Sequence, residues 1–307
     1  MHIEYNQSQD GGGLSSFGRV TLRNAQIDHN QSGGSGAGIF AYDSLTMTNS
    51  LVLQNSISTT NGIAGGIYIR KASQVNLDHI SVISNTAAFG GGIYNVAYGT
   101  ASVSLKAVTI SGNRAITEGG GIYNIAPLNL TNVTLSGNTT AFDSITGEYG
   151  GAIYHTAGTA TLLNTTIADS YAGFFNVGAS VYVTNGAFMQ VQNTIIAAAG
   201  GYTCLGTITS LGHNLDQSLN FCNFVNFGDI SGQDPKLGPL QYNGGTVMTR
   251  ALLRGSPAID RGDNVNCPAT DARDVSRPID GDRNGSKICV IGAYEAEQET
   301  YLPLIRR

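Results

Sequence analysis

The chain has 307 residues, a net charge of −5 and a charged share of 12%, about half of what globular proteins carry. Glycine accounts for 41 residues, roughly twice its average usage. This composition excludes a charged disordered chain and a Lys/Glu-rich helical bundle. It also argues against nucleic acid as a partner, because the sequence has no basic stripe to neutralise phosphates. No run of about 18 apolar residues, the length of a transmembrane helix, occurs.

The chain begins with Met1-His2-Ile3-Glu4, which has neither the basic nor the apolar region of a signal peptide. A repeat pattern is already under way at this point. We therefore expect the sequence to be a truncated or processed form of a longer chain.

A phrase made of a small, an aliphatic and an aromatic residue recurs through roughly the first 200 residues. Its aliphatic member stands at positions 39, 67, 93, 122, 153 and 181, which are steps of 28, 26, 29, 31 and 28 residues. The aromatic members are Phe40, Tyr68, Tyr94, Tyr123, Tyr154 and Tyr182. Such a fixed period indicates a repeat architecture.

Between these phrases lies a second one, in which asparagine follows apolar residues. Examples are Leu105-Lys-Ala107-Val-Thr-Ile110-Ser-Gly-Asn113 and Leu130-Thr-Asn132-Val-Thr-Leu135-Ser-Gly-Asn138. The two-residue alternation and the Val, Ile and Thr content are typical of strands. Short strands that recur with glycine turns form a parallel β-helix, in which each coil stacks on the last. Since parallel connections favour one hand, we predict an all-β, right-handed parallel β-helix.

Stacking of coils accounts for the scarcity of charge. Equivalent residues of neighbouring coils lie about 4.8 Å apart, so a repeated charge would repel itself. Repeated asparagine instead forms a ladder of amide hydrogen bonds. We therefore expect Asn55, Asn85, Asn113 and Asn138 to point inward or into turns and to bond one another.

The aromatic residues follow residues that we place in the core, so strand alternation turns them outward along one face. Such a column has a structural interpretation, because neighbouring rings stabilise one another. It also has a functional one, since a strip of amphipathic rings suits sugars or a protein partner. The two roles are compatible. We predict Tyr68, Tyr94, Tyr123 and Tyr154 as ligand-binding residues.

After residue 200 the composition changes, because six of the seven prolines and all four cysteines lie there. A solenoid needs a cap over its last coil. We therefore divide the chain into β-helix repeats, 1–200, and a C-terminal cap, 201–307, continuous with the solenoid.

No two of the four cysteines form a CxxC motif, which favours two disulfides over a zinc site. Disulfides in turn indicate an oxidising compartment outside the cytoplasm. Of the three possible pairings we predict the sequence-local one, Cys204 with Cys222 and Cys267 with Cys289. The alternative is four unrelated buried thiols.

The cap carries the phrases Asp234-Pro-Lys-Leu-Gly-Pro-Leu-Gln-Tyr-Asn243, Ala251-Leu-Leu-Arg-Gly-Ser-Pro-Ala-Ile-Asp260 and Ile291-Gly-Ala-Tyr-Glu295. With the repeats over 12–200, these phrases resemble the choice-of-anchor Q family of bacterial extracellular proteins with right-handed β-helix repeats. The resemblance spans about 234–295 in the cap. It implies export and surface association. It implies no established activity, and therefore no catalytic residue.

Two groups of polar residues are candidates for chemistry. The first group, Arg70, Lys71, Asp78 and His79, lies within one coil. A polysaccharide lyase uses a basic residue with acidic calcium ligands nearby, whereas a hydrolase uses paired carboxylates. The alternative is a solvated polar face. Asp280, Asp282 and Asn284 resemble the first half of a calcium loop. The alternative there is an Asp/Asn/Gly turn, since the twelfth position is Ile291 rather than glutamate.

The sequence therefore favours a non-catalytic extracellular surface protein that serves adhesion, surface-layer or filament structure, or glycan contact. Its partners are expected to be a polysaccharide, a cell-surface protein or further copies of itself. No cofactor other than calcium is expected. The competing hypothesis is a carbohydrate-active enzyme of the lyase or hydrolase type, and the sequence leaves the question of catalysis open.

Overall fold

The computed structural model describes residues 1–71, 74–97, 102–140, 149–173, 180–184, 186–197 and 202–297. These residues form the predicted all-β, right-handed parallel β-helix, whose coils add short strands to three parallel sheets, A, B and C. Within the described residues there is no helix, and so none that could cross a membrane.

Sheet A takes one long strand or two shorter strands from each coil. Its strands are His2–Glu4, Val20–Arg23, Gln26–Asp28, Leu45–Leu53, Gln74–Ile83, Ser102–Lys106, Thr109–Ser111, Leu128–Thr131, Thr134–Ser136, Thr159–Leu163, Thr166–Ala168, Phe188–Gln192, Ile195–Ala197, Ile208–Ser210, Leu215–Asp216 and Ile230–Ser231. Sheet B contains Gln7–Asp10, Gln31–Ser35, Ser56–Ile57, Thr86–Phe89, Arg114–Glu118 and Thr139–Thr140. Sheet C contains Leu14–Ser16, Ile39–Ala41, Ile67–Ile69, Ile93–Asn95, Ile122–Asn124, Ile153–His155, Val181–Val183 and Cys204–Leu205.

The core runs along the axis of the solenoid and is built from stacks of like residues. In sheet C, Ile67 pairs with Ile93, and the stack continues through Ile122 to Ile153. All four side chains are buried. Each buried aliphatic side chain stabilises the fold by about 1.5–3 kcal/mol, so the register is fixed by many equal contributions.

Sheet A bends once in each coil, at a residue in the left-handed conformation. The residues of this bend column are Asn24, Asn49, His79, Ala107, Asn132, Asn164 and Asn193, with φ between 46° and 56°. Asparagine tolerates this conformation better than most residues, because its short amide bonds locally. The first asparagine of the second sequence phrase is therefore a bend residue.

The second asparagine of that phrase forms the expected ladder, which is confirmed. The side chains of Asn55, Asn85, Asn113 and Asn138 are buried. Asn55 Nδ2 donates to Asn85 Oδ1, Asn85 Nδ2 to Asn113 Oδ1 and Asn113 Nδ2 to Asn138 Oδ1, each at 3.0 Å. The ladder also extends to Asn30, which donates to Asn55.

A second ladder stands at the end of the sheet C strands. Asn95 Nδ2 donates to Asn124 Oδ1 at 2.7 Å, and Asn124 lies 2.8 Å from His155 Nδ1. The other ring nitrogen of His155 lies 3.0 Å from the carbonyl oxygen of Phe188. His155 therefore replaces an asparagine in a buried ladder.

Beyond residue 200 the solenoid continues for a short distance before the chain leaves it. Cys204–Leu205 extends sheet C, while Ile208–Ser210 and Leu215–Asp216 extend sheet A. The predicted disulfides are confirmed, with Cys204 bonded to Cys222 and Cys267 bonded to Cys289. The division at residue 200 stays a prediction.

Residues 237–297, here called the strap, run back along the outside of sheet A. The strap begins with an antiparallel hairpin of Leu237–Gln241 and Thr249–Leu252. Its Val290 and Ile291 pack with Ala168 and Ile195 of sheet A in one buried apolar cluster. The C-terminal region thus covers one side of the solenoid.

Buried charges hold together the C-terminal part of the strap. Arg273 bonds Asp271 at 2.7 Å, and Arg277 Nε lies 3.2 Å from Glu295 Oε2. Burial raises the pKa of Glu295 to about 6 and lowers that of Arg277 to about 10. Because all four side chains are nearly inaccessible, each charge depends on its partner for stabilisation.

Candidate functional site

The predicted aromatic residues form one continuous column along the outside of sheet C. They occupy the middle position of successive strands, and parallel pairing aligns Phe40, Tyr68, Tyr94, Tyr123, Tyr154 and Tyr182. Ile67 belongs to the axial core, whereas Tyr68 belongs to a separate outer cluster. Strand alternation therefore turns the rings away from the axis.

A second column lies beside the first, at the end of sheet B. Ile63, Phe89, Glu118 and Tyr149 are bridged one to the next. The Phe89 ring meets Tyr123 edge-on at 6.1 Å, measured between ring centroids. We call the two columns together the aromatic face.

Two pairs of rings in the first column stack face to face, whereas Tyr68 meets Phe40 and Tyr94 edge-on. Tyr94 and Tyr123 stack at 4.4 Å with an interplanar angle of 9°, and Tyr154 and Tyr182 lie within 4° of parallel at 5.4 Å. Tyr68 is only 8% exposed. At the stacked pairs a ligand therefore meets ring edges, and Tyr68 offers little surface for contact.

Glu118 is an acidic group within the aromatic face. It forms a hydrogen bond with Tyr154, and burial raises its pKa. Burial also raises the pKa of Tyr123 to about 12 and raises that of Tyr154. The phenol groups consequently stay protonated at neutral pH, where they serve as hydrogen-bond donors and acceptors.

The other candidate residues of the repeats lie in two separate places. Arg70 and Lys71 lie over the Tyr42 ring, at 5.9 and 6.0 Å from its centroid. Asp78 and His79 lie at the bend of sheet A, with the strand residues 74–77 between the two pairs. The structure therefore does not bring the four residues together.

His79 lies between two carboxylates at the edge of a cleft. Its Nδ1 lies 2.9 Å from Asp78 Oδ1, and its Nε2 lies 3.1 Å from Asp274 Oδ2 of the strap. The cleft has a volume of about 350 Å³, and the strap contributes Tyr242 and Thr246 to its lining.

The predicted calcium residues are brought together with a fourth residue. Carboxylate oxygens of Asp260, Asp280 and Asp282 lie within 4.8 Å of one another, whereas the Asn284 amide donates to Asp282 at 3.0 Å. Burial and the neighbouring Asp282 raise the pKa of Asp260, although it accepts backbone hydrogen bonds from Gly281 and Asp282. These carboxylate oxygens are ligands that Ca²⁺ prefers.

Sequence reasoning missed three of these groups. Glu118 lies in the second column, whose residues do not recur in a regular sequence phrase. Asp260 stands 20 residues before Asp280 along the chain. Asp274 reaches His79 only because the strap folds back along the solenoid. The sequence did contain a signal for Asp260, because in Ser-Pro-Ala-Ile-Asp260 a carboxylate directly follows apolar residues.

The comparisons with known proteins bear on the fold. Residues 107–125 match the Chlamydia polymorphic membrane protein (Chlamydia_PMP) repeat, and no curated protein matches the chain at a significant level. The crystal structure of pectate lyase Pel9A matches 96% of this chain and 72% of its own, with a TM-score of 0.50 and 12% sequence identity. At that identity the likeness shows the fold alone. Together, the repeat and the fold identify the chain as a parallel β-helix repeat protein.

Proposed function

We propose that the protein is a non-catalytic surface protein that contacts a polysaccharide along its aromatic face. The observation that carries the proposal is the continuity of this face from Phe40 to Tyr182, with two stacked pairs of tyrosine rings. Rings held by their neighbours lose little further conformational freedom when a ligand binds, which favours binding.

The chemistry of the face favours an uncharged polymer. Among the described residues between Phe40 and Tyr182 in the two columns, Glu118 is the acidic group, and no Lys or Arg stands in either column. Phenol hydroxyls and one carboxyl group offer hydrogen bonds to sugar hydroxyls. Binding through them depends only weakly on salt, since no ion pairs are screened.

An extracytoplasmic location accompanies this proposal. Two disulfides persist in oxidising compartments, and the match over 107–125 is to a repeat named for membrane proteins of Chlamydia. The resemblance to the choice-of-anchor Q family supports the same surface setting.

The test compares retention of purified variants in gels that contain neutral polysaccharides. The double variant Tyr94→Phe/Tyr123→Phe keeps the stacked rings and removes two hydroxyls, so we expect weaker retention at an unchanged melting temperature. Tyr202→Phe, at a tyrosine that is 43% exposed outside the aromatic face, is the matched control. Equal retention of the wild type and the double variant on every polysaccharide would contradict the proposal.

The competing hypothesis of a carbohydrate-active enzyme has one observation in its favour, the His79 side chain held between Asp78 and Asp274 beside a cleft. An imidazole in that setting is chemically able to accept a proton. Release of unsaturated sugars from uronic-acid polymers by the wild type, lost in His79→Gln, would favour the enzyme.

The calcium site stays a prediction with its own test. We expect millimolar Ca²⁺ to raise the melting temperature of the wild type and to have no effect on Asp280→Asn/Asp282→Asn. Mg²⁺ is the control ion, because it demands a stricter octahedral geometry.

A further inference from the structure

The strap is held on the bend column by asparagine side chains that bond its backbone. Each of these asparagines donates its amide to a strap carbonyl: Asn132 to Thr270 at 2.8 Å, Asn164 to Val290 at 3.1 Å and Asn193 to Asp263 at 3.2 Å. In the reverse direction, the backbone N–H of Asp263 donates to Asn193 Oδ1 at 2.7 Å. The bend column therefore binds a polypeptide segment through main-chain groups.

Towards the N-terminus, the strap's contacts along the bend column end where Asp274 meets His79. The next two members of the column, Asn24 and Asn49, have the same left-handed conformation, with φ of 49° and 47°. Both are exposed. Within the described part of the chain, no side-chain hydrogen bond of either amide is present. They are thus the uncovered continuation of a column whose later members bind peptide.

The strand residues beside the bend column are also covered by the strap in later coils and uncovered in the first ones. Thr109 Oγ1 donates to the carbonyl oxygen of Met248 in the strap at 2.5 Å. On successive coils toward the N-terminus, the residues aligned with Thr109 in the parallel register are Ser81, Leu51 and Gln26. Those three residues line the cleft of about 350 Å³, together with Asn24, Asn49 and His79. The cleft therefore begins where the interface with the strap ends.

We propose that this cleft binds an extended, neutral polypeptide segment of a partner protein. The amides of Asn24 and Asn49 bond the carbonyl and N–H groups of that segment, as Asn193 bonds Asp263. The exposed rim formed by Tyr242 and Thr246 of the strap packs against one side of it. The residues that line the cleft include no Lys, Arg, Asp or Glu, so the site favours a segment without charge.

The same geometry favours a peptide over a sugar. An asparagine amide offers a donor and an acceptor side by side, which matches the N–H and C=O of an extended backbone. Leu51 supplies an apolar contact in the middle of the cleft, at the position in the stack where Ile195 packs against the strap. Main-chain recognition of this kind tolerates many side chains.

The test uses a synthetic peptide of residues 290–294 with blocked ends, labelled with a fluorophore and carrying a benzophenone. This uncharged segment already bonds Asn164 and packs against Ile195 within the chain. We expect saturable binding to the whole protein by fluorescence anisotropy, and photo-crosslinks that map to residues 24–26, 49–51 or 242–246.

The decisive variant is Asn24→Gly/Asn49→Gly, because glycine accepts the left-handed conformation and only the amides are lost. We expect peptide affinity to fall by at least about tenfold. Gln54→Gly, also exposed and left-handed at φ 53° but outside the cleft, should bind normally. Absence of peptide binding, crosslinks confined to other regions, or unchanged affinity in the double variant would overturn the proposal. So would binding of a neutral hexasaccharide that the peptide does not displace from the cleft.

Discussion

Asparagine has two distinct roles in the coils, and the backbone conformation distinguishes them. At the bend of sheet A it is in the left-handed conformation, as at Asn132 with φ of 56°. At the next turn it is buried in the ladder, as at Asn113. In the sequence both stand two or three positions after an apolar residue, Leu130 for Asn132 and Ile110 for Asn113. Only the three-dimensional stacking shows that one class bonds its own kind and that later members of the other class bond the strap.

Asn113→Asp tests the ladder at a single residue. The Asn113 amide donates to Val82 O at 2.9 Å and to Asn138 Oδ1 at 3.0 Å. A carboxylate donates to neither and brings a charge among buried oxygens. We expect the free energy of unfolding at neutral pH to fall by roughly 1–3 kcal/mol. Asn129→Asp, on the exposed outer side of sheet A, is the control. Equal stability of both variants in urea titrations would refute the ladder's contribution.

His155→Asn tests the second ladder through pH. Burial lowers the pKa of His155, so the unfolded chain, with a histidine pKa of about 6.5, takes up the proton more readily than the folded chain. The stability that neutral His155 contributes is therefore lost as the pH falls from about 6.5 through the lower folded-state pKa.

Asparagine occupies the equivalent position at Asn95 and Asn124 and does not titrate. The variant should therefore lose less stability than the wild type on acidification. Melting temperatures measured from about pH 7.5 to pH 5 provide the comparison. Parallel curves for the two proteins would show that His155 is already protonated, or free to protonate, in the fold.

At the scale of elements, the strands are predictable and the strap is not. The repeat phrases determine which residues face the core, because a period of two sets inward and outward sides. The phrases of the C-terminal region have no period, so they indicate turns but not the surface on which those turns pack. That surface depends on long-range bonds such as Asn164 to Val290, which are 126 residues apart.

Glu295→Ala tests how the strap is held together. It leaves the guanidinium of Arg277 buried without its ion-pair partner, which costs about 3–5 kcal/mol. Glu297→Ala is the matched control, because Glu297 is 51% exposed in its ion pair with Arg273 and such a pair contributes about 0–1 kcal/mol. We expect limited proteolysis to cleave the strap of the first variant much faster than that of the second. Equal cleavage rates would contradict the structural role of the buried pair.

For the whole molecule, the sequence predicts the architecture well and the site only in part. Repeats of about 28 residues made of short strands and glycine turns indicate a β-helix, and the even cysteine count predicts the disulfides. The tyrosine column follows from alternation alone. The degree to which neighbouring rings cover Tyr68, and the entry of Glu118 into the aromatic face, depend on side-chain packing across coils that no period encodes.

The proposed function requires that the protein hold a polysaccharide without cutting it. The most direct measurement incubates the wild-type protein with the polysaccharide that retains it best and follows the polymer's molar mass by size-exclusion chromatography with light scattering. We expect an unchanged mass distribution after long incubation, with and without Ca²⁺. Progressive shortening of the polymer, abolished in His79→Gln, would contradict it.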